Sequence, residues 1–382
     1  MIYLDNAATT PLSQKALETL LSVSQEVFGN PSSIHAFGRR ANQILRQARQ
    51  DIAQVLKVQP DHLIFTSGGS EADNLAIKGY ALANQDKGKH LITTAIEHHA
   101  VLHTMDYLEK RFGFEVTYLQ PSNQQITAQQ VKEALRPDTI LVSVMYANNE
   151  TGHLLPIQEI GDLLKDHQAV FHVDAVQVLG KFPVFPEELG IDLLAASAHK
   201  FHGPKGVGFL YSKEAKLDSL IHGGKQERQH RAGTENLASI AAMATALKEE
   251  YSQAQEDWRT IQRLKEQFLT EIADLDFYLN QDQTALPHIL NLGFPGHLNE
   301  QILMRLDLAG IAVSSGSACT AGVVQKSHVL EAFYGSDSTR LSESIRISFS
   351  AQNKAEEITK LSQTIKEIIG GALHGIRTTS SP

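Results

Sequence analysis

Short apolar, β-branched runs separated by longer stretches of helical spacing constrain this chain more than any other feature. Leu63-Ile64-Phe65-Thr66 precedes a helix pattern from Glu71, and Leu91-Ile92-Thr93-Thr94 precedes one from about Ala100 to Arg111. The same rhythm continues through Thr139 to Val144 and through Val170-Phe171-His172-Val173-Asp174. Strand, helix, strand at this spacing predicts an α/β fold with a mainly parallel sheet covered on both faces. In such sheets chemistry gathers where strands end and loops begin.

Beyond about Glu249 the pattern becomes a long helix, with Trp258, Ile261, Leu264, Phe268 and Ile272 on one face. It leads to a strand at Ile289-Leu290-Asn291-Leu292, a Gly/Ser-rich loop from Ser314 to Gly322, a strand at Ser344 to Ser348 and a closing amphipathic helix from about Lys354. At 382 residues the chain is long enough for two domains. The expected division is a large domain over 16–250 and a smaller α+β domain from 1–15 with 251–382.

Charge is mixed throughout, 34 basic against 43 acidic residues for a net −9, which argues against nucleic acid as a direct partner. No long apolar span and no leader pattern is visible, so no membrane is expected as a partner. The single cysteine, Cys319, cannot form an intramolecular disulfide and suits a reducing, cytoplasmic setting.

Three stretches carry chemistry. In Phe65-Thr66-Ser67-Gly68-Gly69-Ser70-Glu71 a strand runs through small residues into a helix, where free backbone N–H groups suit a phosphate or merely a capped turn. It is neither a dinucleotide nor a nucleoside triphosphate fingerprint. In Ala196-Ser197-Ala198-His199-Lys200-Phe201-His202-Gly203-Pro204-Lys205-Gly206 a lysine sits among small residues, which suits a Schiff-base amine or merely a surface lysine in a turn; Lys205 competes with Lys200 for the Schiff-base role. Asp174 ends an apolar strand, where a carboxylate can pair with a pyridine nitrogen or cap a helix.

Together with Tyr3-Leu4-Asp5-Asn6-Ala7-Ala8-Thr9-Thr10-Pro11, Phe28-Gly29-Asn30-Pro31-Ser32-Ser33, Asn148-Asn149-Glu150-Thr151-Gly152, Arg231-Ala232-Gly233-Thr234 and Ser314-Ser315-Gly316-Ser317-Ala318-Cys319-Thr320, these stretches give the chain a family resemblance. It resembles the cysteine desulfurases of the NifS and IscS branch, on the class V aminotransferase fold, from Met1 to about Phe349.

The resemblance implies the aspartate aminotransferase-like fold and pyridoxal 5'-phosphate as cofactor. It implies Lys200 as the Schiff-base lysine and proton-transfer base, Asp174 at the pyridine nitrogen, His98 stacked on the ring, and Asn149 and Gln177 at the ring oxygen. Gly69, Ser70, Ser197 and His199 would hold the phosphate, with Thr234 reaching the phosphate of a second subunit in a homodimer. Arg346 and Asn30 would bind the L-cysteine substrate, and Cys319 would take its sulfur as a persulfide. A sulfur-acceptor protein, either an iron–sulfur scaffold or a tRNA-thiolation protein, is then implied as partner. His99 and His103 lie four apart on a helix pattern, but without H-E-x-x-H or a neighbouring thiolate no metal site is expected.

The surroundings of Cys319 are too small and too polar to pack a core, unlike those of an inert buried thiol. They predict a mobile loop carrying a thiol.

Overall fold

The computed structural model describes residues 1–316 and 326–376, so Cys319 lies outside the described residues. A two-residue strand, β1 (Ile2–Tyr3), opens the chain. Seven strands then form one sheet: β2 (Leu63–Thr66), β3 (His90–Thr94), β4 (Glu115–Leu119), β5 (Thr139–Ser143), β6 (Val170–Asp174), β7 (Leu193–Ser197) and β8 (Gly208–Ser212). Their order is β2-β8-β7-β6-β5-β3-β4, parallel from β7 through β6, β5 and β3 to β4. Only β8 opposes its neighbours β2 and β7.

Every residue of β2, β3, β5, β7 and β8 is buried, which is why these strands read as near-continuous apolar runs. The edge strand β4 is less covered, grading from an exposed Glu115 through three half-buried residues to a buried Leu119. Because β2 and β7 both oppose β8, they run the same way, and the carboxyl ends of β2, β3, β5, β6 and β7 share one side of the sheet. The strand order reverses between β3 and β5, the crevice where α/β sheets bind ligands.

A second core follows from β9 (Tyr278–Leu279), β10 (Ile289–Gly293), β11 (Ile311–Ala312) and β12 (Ser344–Ser348). The antiparallel order is β12-β10-β9, while β11 pairs in parallel with β1. Leu4, Leu290, Leu292, Ile345 and Ile347 pack there against the last helix, Ala355–Ile376. The first residues of the chain are thus built into a core made mainly by its last third.

One helix of 35 residues, Leu237–Glu271, about 50 Å long at 1.5 Å per residue, serves both cores. Ile240, Met243 and Leu247 belong to the first, whereas Ile261, Leu264 and Phe268 belong to the second. It starts before Glu249, where sequence periodicity first shows it, because Leu237 to Leu247 is buried around most of its circumference and carries no clear polar face. Two further helices begin slightly ahead of their expected starts, at Gly69 and at His99. None of the described helices is long and apolar enough to cross a membrane.

Candidate active site

The carboxyl ends of the strands open into a cavity of about 820 Å³. Each strand delivers one part of it: Gly69 and Ser70 follow β2, His98 follows β3, Asn149 follows β5, Asp174 ends β6, and Ser197, His199 and Lys200 follow β7. Arg346 from β12 closes the opposite wall, with Ser314 and Gly316 beside it. Residues from 69 to 346 are therefore gathered by topology rather than by sequence proximity.

Lys200 is half-buried, and its Nζ donates to the carbonyls of Ala7 at 2.6 Å and Ala8 at 2.9 Å. Burial, then the nearby Arg346 charge, push its pKa down to about 8, against a smaller upward pull from Asp174 and Asp5. Lys205 stands exposed outside this cavity, which separates the two lysines that sequence left in competition. Asp174 caps no helix; its Oδ1 accepts from the Val176 N–H at 2.9 Å, and burial pushes the carboxyl up to about 6. Gln177 donates to the Ala7 carbonyl at 3.1 Å, so the opening segment of the chain is tied to the same floor.

His98 sits at the start of the helix His99–Phe112, and its Nδ1 accepts from the Ala100 N–H at 3.1 Å. This leaves Nε2 to carry the proton of the neutral ring. Desolvation by the surrounding protein, with the Lys200 charge adding to it, lowers its pKa to about 4, so the ring is neutral at pH 7 although the residue keeps an exposed face toward the cavity. His199, bonded to Thr9 Oγ1 at 3.1 Å, is lowered to about 4 for the same two reasons.

Arg346 is 3% exposed; Nη2 donates to Asp5 Oδ1 at 2.8 Å and Nη1 to the Asn149 carbonyl at 2.7 Å. Its Nε is buried with no hydrogen-bond partner among the described residues. A planar fork with a free donor at a cavity wall suits a carboxylate ligand.

Two expected site residues stay outside the cavity. Thr234 is exposed, on a segment whose Arg231 pairs with Glu71 at 2.9 Å. Asn30 is also exposed and spends its side-chain oxygen on the Ser32 N–H at 2.9 Å, so the single chain does not bring it to the substrate side. Conversely, sequence reading assigned nothing to Asp5, Asp73, Glu97, Glu150 or His328. Glu97 lies beneath the site, wholly buried, accepting from Thr94 Oγ1 at 2.7 Å and from the Met145 N–H at 2.9 Å. Burial pushes its pKa up to about 8. Its position beside His98 was the available signal. His99 stacks on His103 with ring centroids 5.0 Å apart and meets the tilted ring of His328 at 4.7 Å. Among the described residues no cluster of three or more His, Cys, Asp or Glu could hold a metal ion.

This sheet, second core and cavity define a known class. Residues 2–361 match the family described as aminotransferase class-V, and the chain belongs to that family. Within it the chain stands with the cysteine desulfurases. It is 51% identical to the Bacillus subtilis (strain 168) protein named IscS 1, over 96% of this chain and 98% of that one. It is 47% identical to the cysteine desulfurase IscS of Dictyoglomus turgidum, over 87% and 85% of the two chains. A solved NifS-like protein superposes with a TM-score of 0.91 at 35% identity, covering 97% of this chain and 99% of that one.

The cofactor of the family is pyridoxal phosphate, and the floor of the cavity fits it. A Cβ on Gly69 would meet Val176 Cγ2 at 2.8 Å, and Gly68 holds a φ of +148°. Only glycines leave this cradle open for a phosphate at the helix start. A buried carboxyl, a half-buried amine of lowered pKa and a neutral imidazole complete the donor set that a pyridine aldehyde requires.

Proposed function

We propose that this chain is a cysteine desulfurase that converts L-cysteine to L-alanine and takes the sulfur onto Cys319 as a persulfide. The observation that carries this is the meeting of Lys200, Asp174, His98 and Arg346 on one cavity whose rim residue, Gly316, leads toward Cys319. Cys319 follows Gly316 by three positions in the sequence.

In this reading Lys200 holds the cofactor aldehyde, Asp174 the pyridine nitrogen, Asn149 and Gln177 the ring oxygen, and Gly69, Ser70, Ser197 and His199 the phosphate. His98 stacks on the ring. The bound cofactor withdraws electrons from the substrate α-carbon, which makes that carbon acidic. Arg346 grips the substrate carboxylate and fixes its orientation. Lys200 Nζ, its pKa near 8, takes the α-proton and returns a proton to carbon. The Cys319 thiolate attacks the substrate sulfur: an S–S bond forms, the C–S bond breaks, and its electron pair stays with the carbon skeleton. That skeleton gains a proton and leaves as alanine. The sum is L-cysteine plus thiol giving L-alanine plus persulfide, with no external oxidant.

Residues 16–250 carry the cofactor, and 1–15 with 251–382 carry the substrate wall and Cys319. The enzyme acts as a cytoplasmic homodimer in which Thr234 reaches the phosphate site of the second subunit. The exposed apolar side chains of Phe28, Ile34 and Phe37, at 75%, 91% and 57%, support such an assembly. The persulfide passes to an acceptor protein serving iron–sulfur assembly or tRNA thiolation.

The test is Cys319→Ala. It should retain bound cofactor with its visible absorbance yet form no persulfide, and the wild type should release alanine without any keto-acid acceptor. Full desulfurase activity in Cys319→Ala would sink the assignment.

A further inference from the structure

Glu227, Arg228 and Gln229 take left-handed backbone angles in succession, with φ of +45°, +55° and +72°. Three consecutive non-glycine residues in that region are costly, and they persist only where the surroundings over-determine them, as at functional sites. Arg228 and Gln229 are exposed, whereas Glu227 turns inward and is 7% exposed. Its Oε2 accepts from the Phe65 N–H on β2 at 2.8 Å, and its Oε1 from Arg49 Nη2 at 2.6 Å. Arg49 Nη1 donates in turn to the Leu63 carbonyl, and the guanidinium lies 4.4 Å from the centre of the Phe65 ring. Because β2 is the edge strand of its sheet, no further strand can pair with these outward backbone groups; a carboxylate and a guanidinium take that place.

Four residues beyond Glu227 the same segment makes a second contact. Arg231 grips Glu71 through Nε to Oε1 at 2.9 Å and Nη2 to Oε2 at 3.4 Å. Glu71 Oε2 also accepts from the Ser67 N–H at 2.8 Å, so this carboxylate closes the turn that follows β2. Burial pushes the Glu71 carboxyl up, but the bonds from Arg231 and Ser67 outweigh it and hold the group below its usual range. The two contacts, at Phe65 and at Glu71, straddle Gly68, Gly69 and Ser70. Gly68 and Gly69 have no side chains with which to fix their own backbone.

We propose that Glu227 and Arg231 are positioning residues that brace the Gly68-Gly69-Ser70 turn from outside and so set its fit to a phosphate group. This rests on the reading of Gly69 and Ser70 as phosphate residues. Neither Glu227 nor Arg231 lines the cavity; the first acts through β2 and the second through Glu71. A turn already held in its binding shape leaves less ordering to be done when the ligand arrives, and binds it more tightly.

The experiment titrates the full chain, stripped of cofactor, with pyridoxal 5'-phosphate and separately with pyridoxal, which shares the ring and aldehyde but lacks the phosphate. Binding is read by absorbance. In Glu227→Gln, Arg231→Gln and Glu71→Gln the Kd for pyridoxal 5'-phosphate should rise about tenfold, while that for pyridoxal stays within about twofold of wild type. Glu71→Gln combined with Arg231→Gln should lose no more than either alone, because both remove one interaction. The loss should persist in a Thr234→Ala background, which separates the brace from any contact that Thr234 makes to a second subunit. Equal weakening for both ligands would mark general damage and overturn the brace. So would an unchanged phosphate preference in either Glu227→Gln or Arg231→Gln, or a loss that vanishes with Thr234→Ala. A wild type that binds pyridoxal as tightly as its phosphate would instead remove the phosphate reading of Gly69 and Ser70, and the brace with it.

Discussion

The floor of the cavity draws His98, Asp174 and Lys200 from the ends of neighbouring strands in one sheet, whereas the facing wall draws Arg346 and Gly316 from the second core. On the floor each side chain is placed by the strand that delivers it, with Lys200 held in addition by the Ala7 and Ala8 carbonyls, and desolvation sets its charge. His98 is lowered to about 4, Lys200 to about 8, and Asp174 raised to about 6. On the wall, position comes from cross-chain bonds: Arg346 is held by Asp5 at 2.8 Å and the Asn149 carbonyl at 2.7 Å. A sheet edge makes a rigid, preorganised floor. A wall assembled from short strands and long-range bonds suits a part that must grip a substrate and leave room for a nucleophile.

The sharpest way to break that contrast is Lys200→Ala. Removing the floor amine should cost roughly 10²–10⁴-fold in desulfurase turnover, and borohydride should no longer fix cofactor to the chain. Cofactor still fixed, now through Lys205, would mean that the floor is not what selects the lysine.

On the wall, Arg346→Lys keeps the charge but loses the fork and one of its two anchoring bonds. The KM for cysteine should rise about 10–100-fold with a smaller change in kcat, measured at steady state. An equal loss in kcat alone would place Arg346 with the floor chemistry rather than with substrate grip.

The smallest effect concerns charge under the floor. Glu97 has its folded pKa pushed up from 4.5 to about 8 by burial. Its contribution to stability is therefore full below about pH 4.5 and is lost as pH rises through about 8. Glu97→Gln removes that titration while keeping an oxygen for Thr94 and the Met145 N–H. Between about pH 5 and 8 the melting temperature of the wild type should fall by a few degrees relative to the variant. Parallel curves would show that Glu97 titrates normally.

Much of the floor was visible before folding. Leu63 to Thr66 and Val170 to Asp174 coincide with strands because a strand buried on both faces is apolar over most of its length. Small residues at 67–70 and 197–200 marked the turns where a backbone can approach a ligand. What stayed hidden were bonds between distant segments. The Ala7 and Ala8 carbonyls that receive Lys200 are ordinary alanines in sequence. Asp5 beneath Arg346 and Ser327 against Glu150 show no periodicity and no local signature. The fully buried start of the helix Leu237–Glu271 was missed for a related reason, since burial all round erases the amphipathic pattern.

Sequence by itself determined the alternation of strands and helices, the small residues at the strand ends, and a lone thiol in a Gly/Ser-rich segment, because these are local preferences of backbone and side chain. Only tertiary structure decided that Lys200 is half-buried in the cavity while Lys205 is exposed outside it, and that Arg346 faces the floor across the cavity. Both depend on desolvation and on contacts between residues hundreds of positions apart, which the chain acquires only when its first strand enters the core built by its last third.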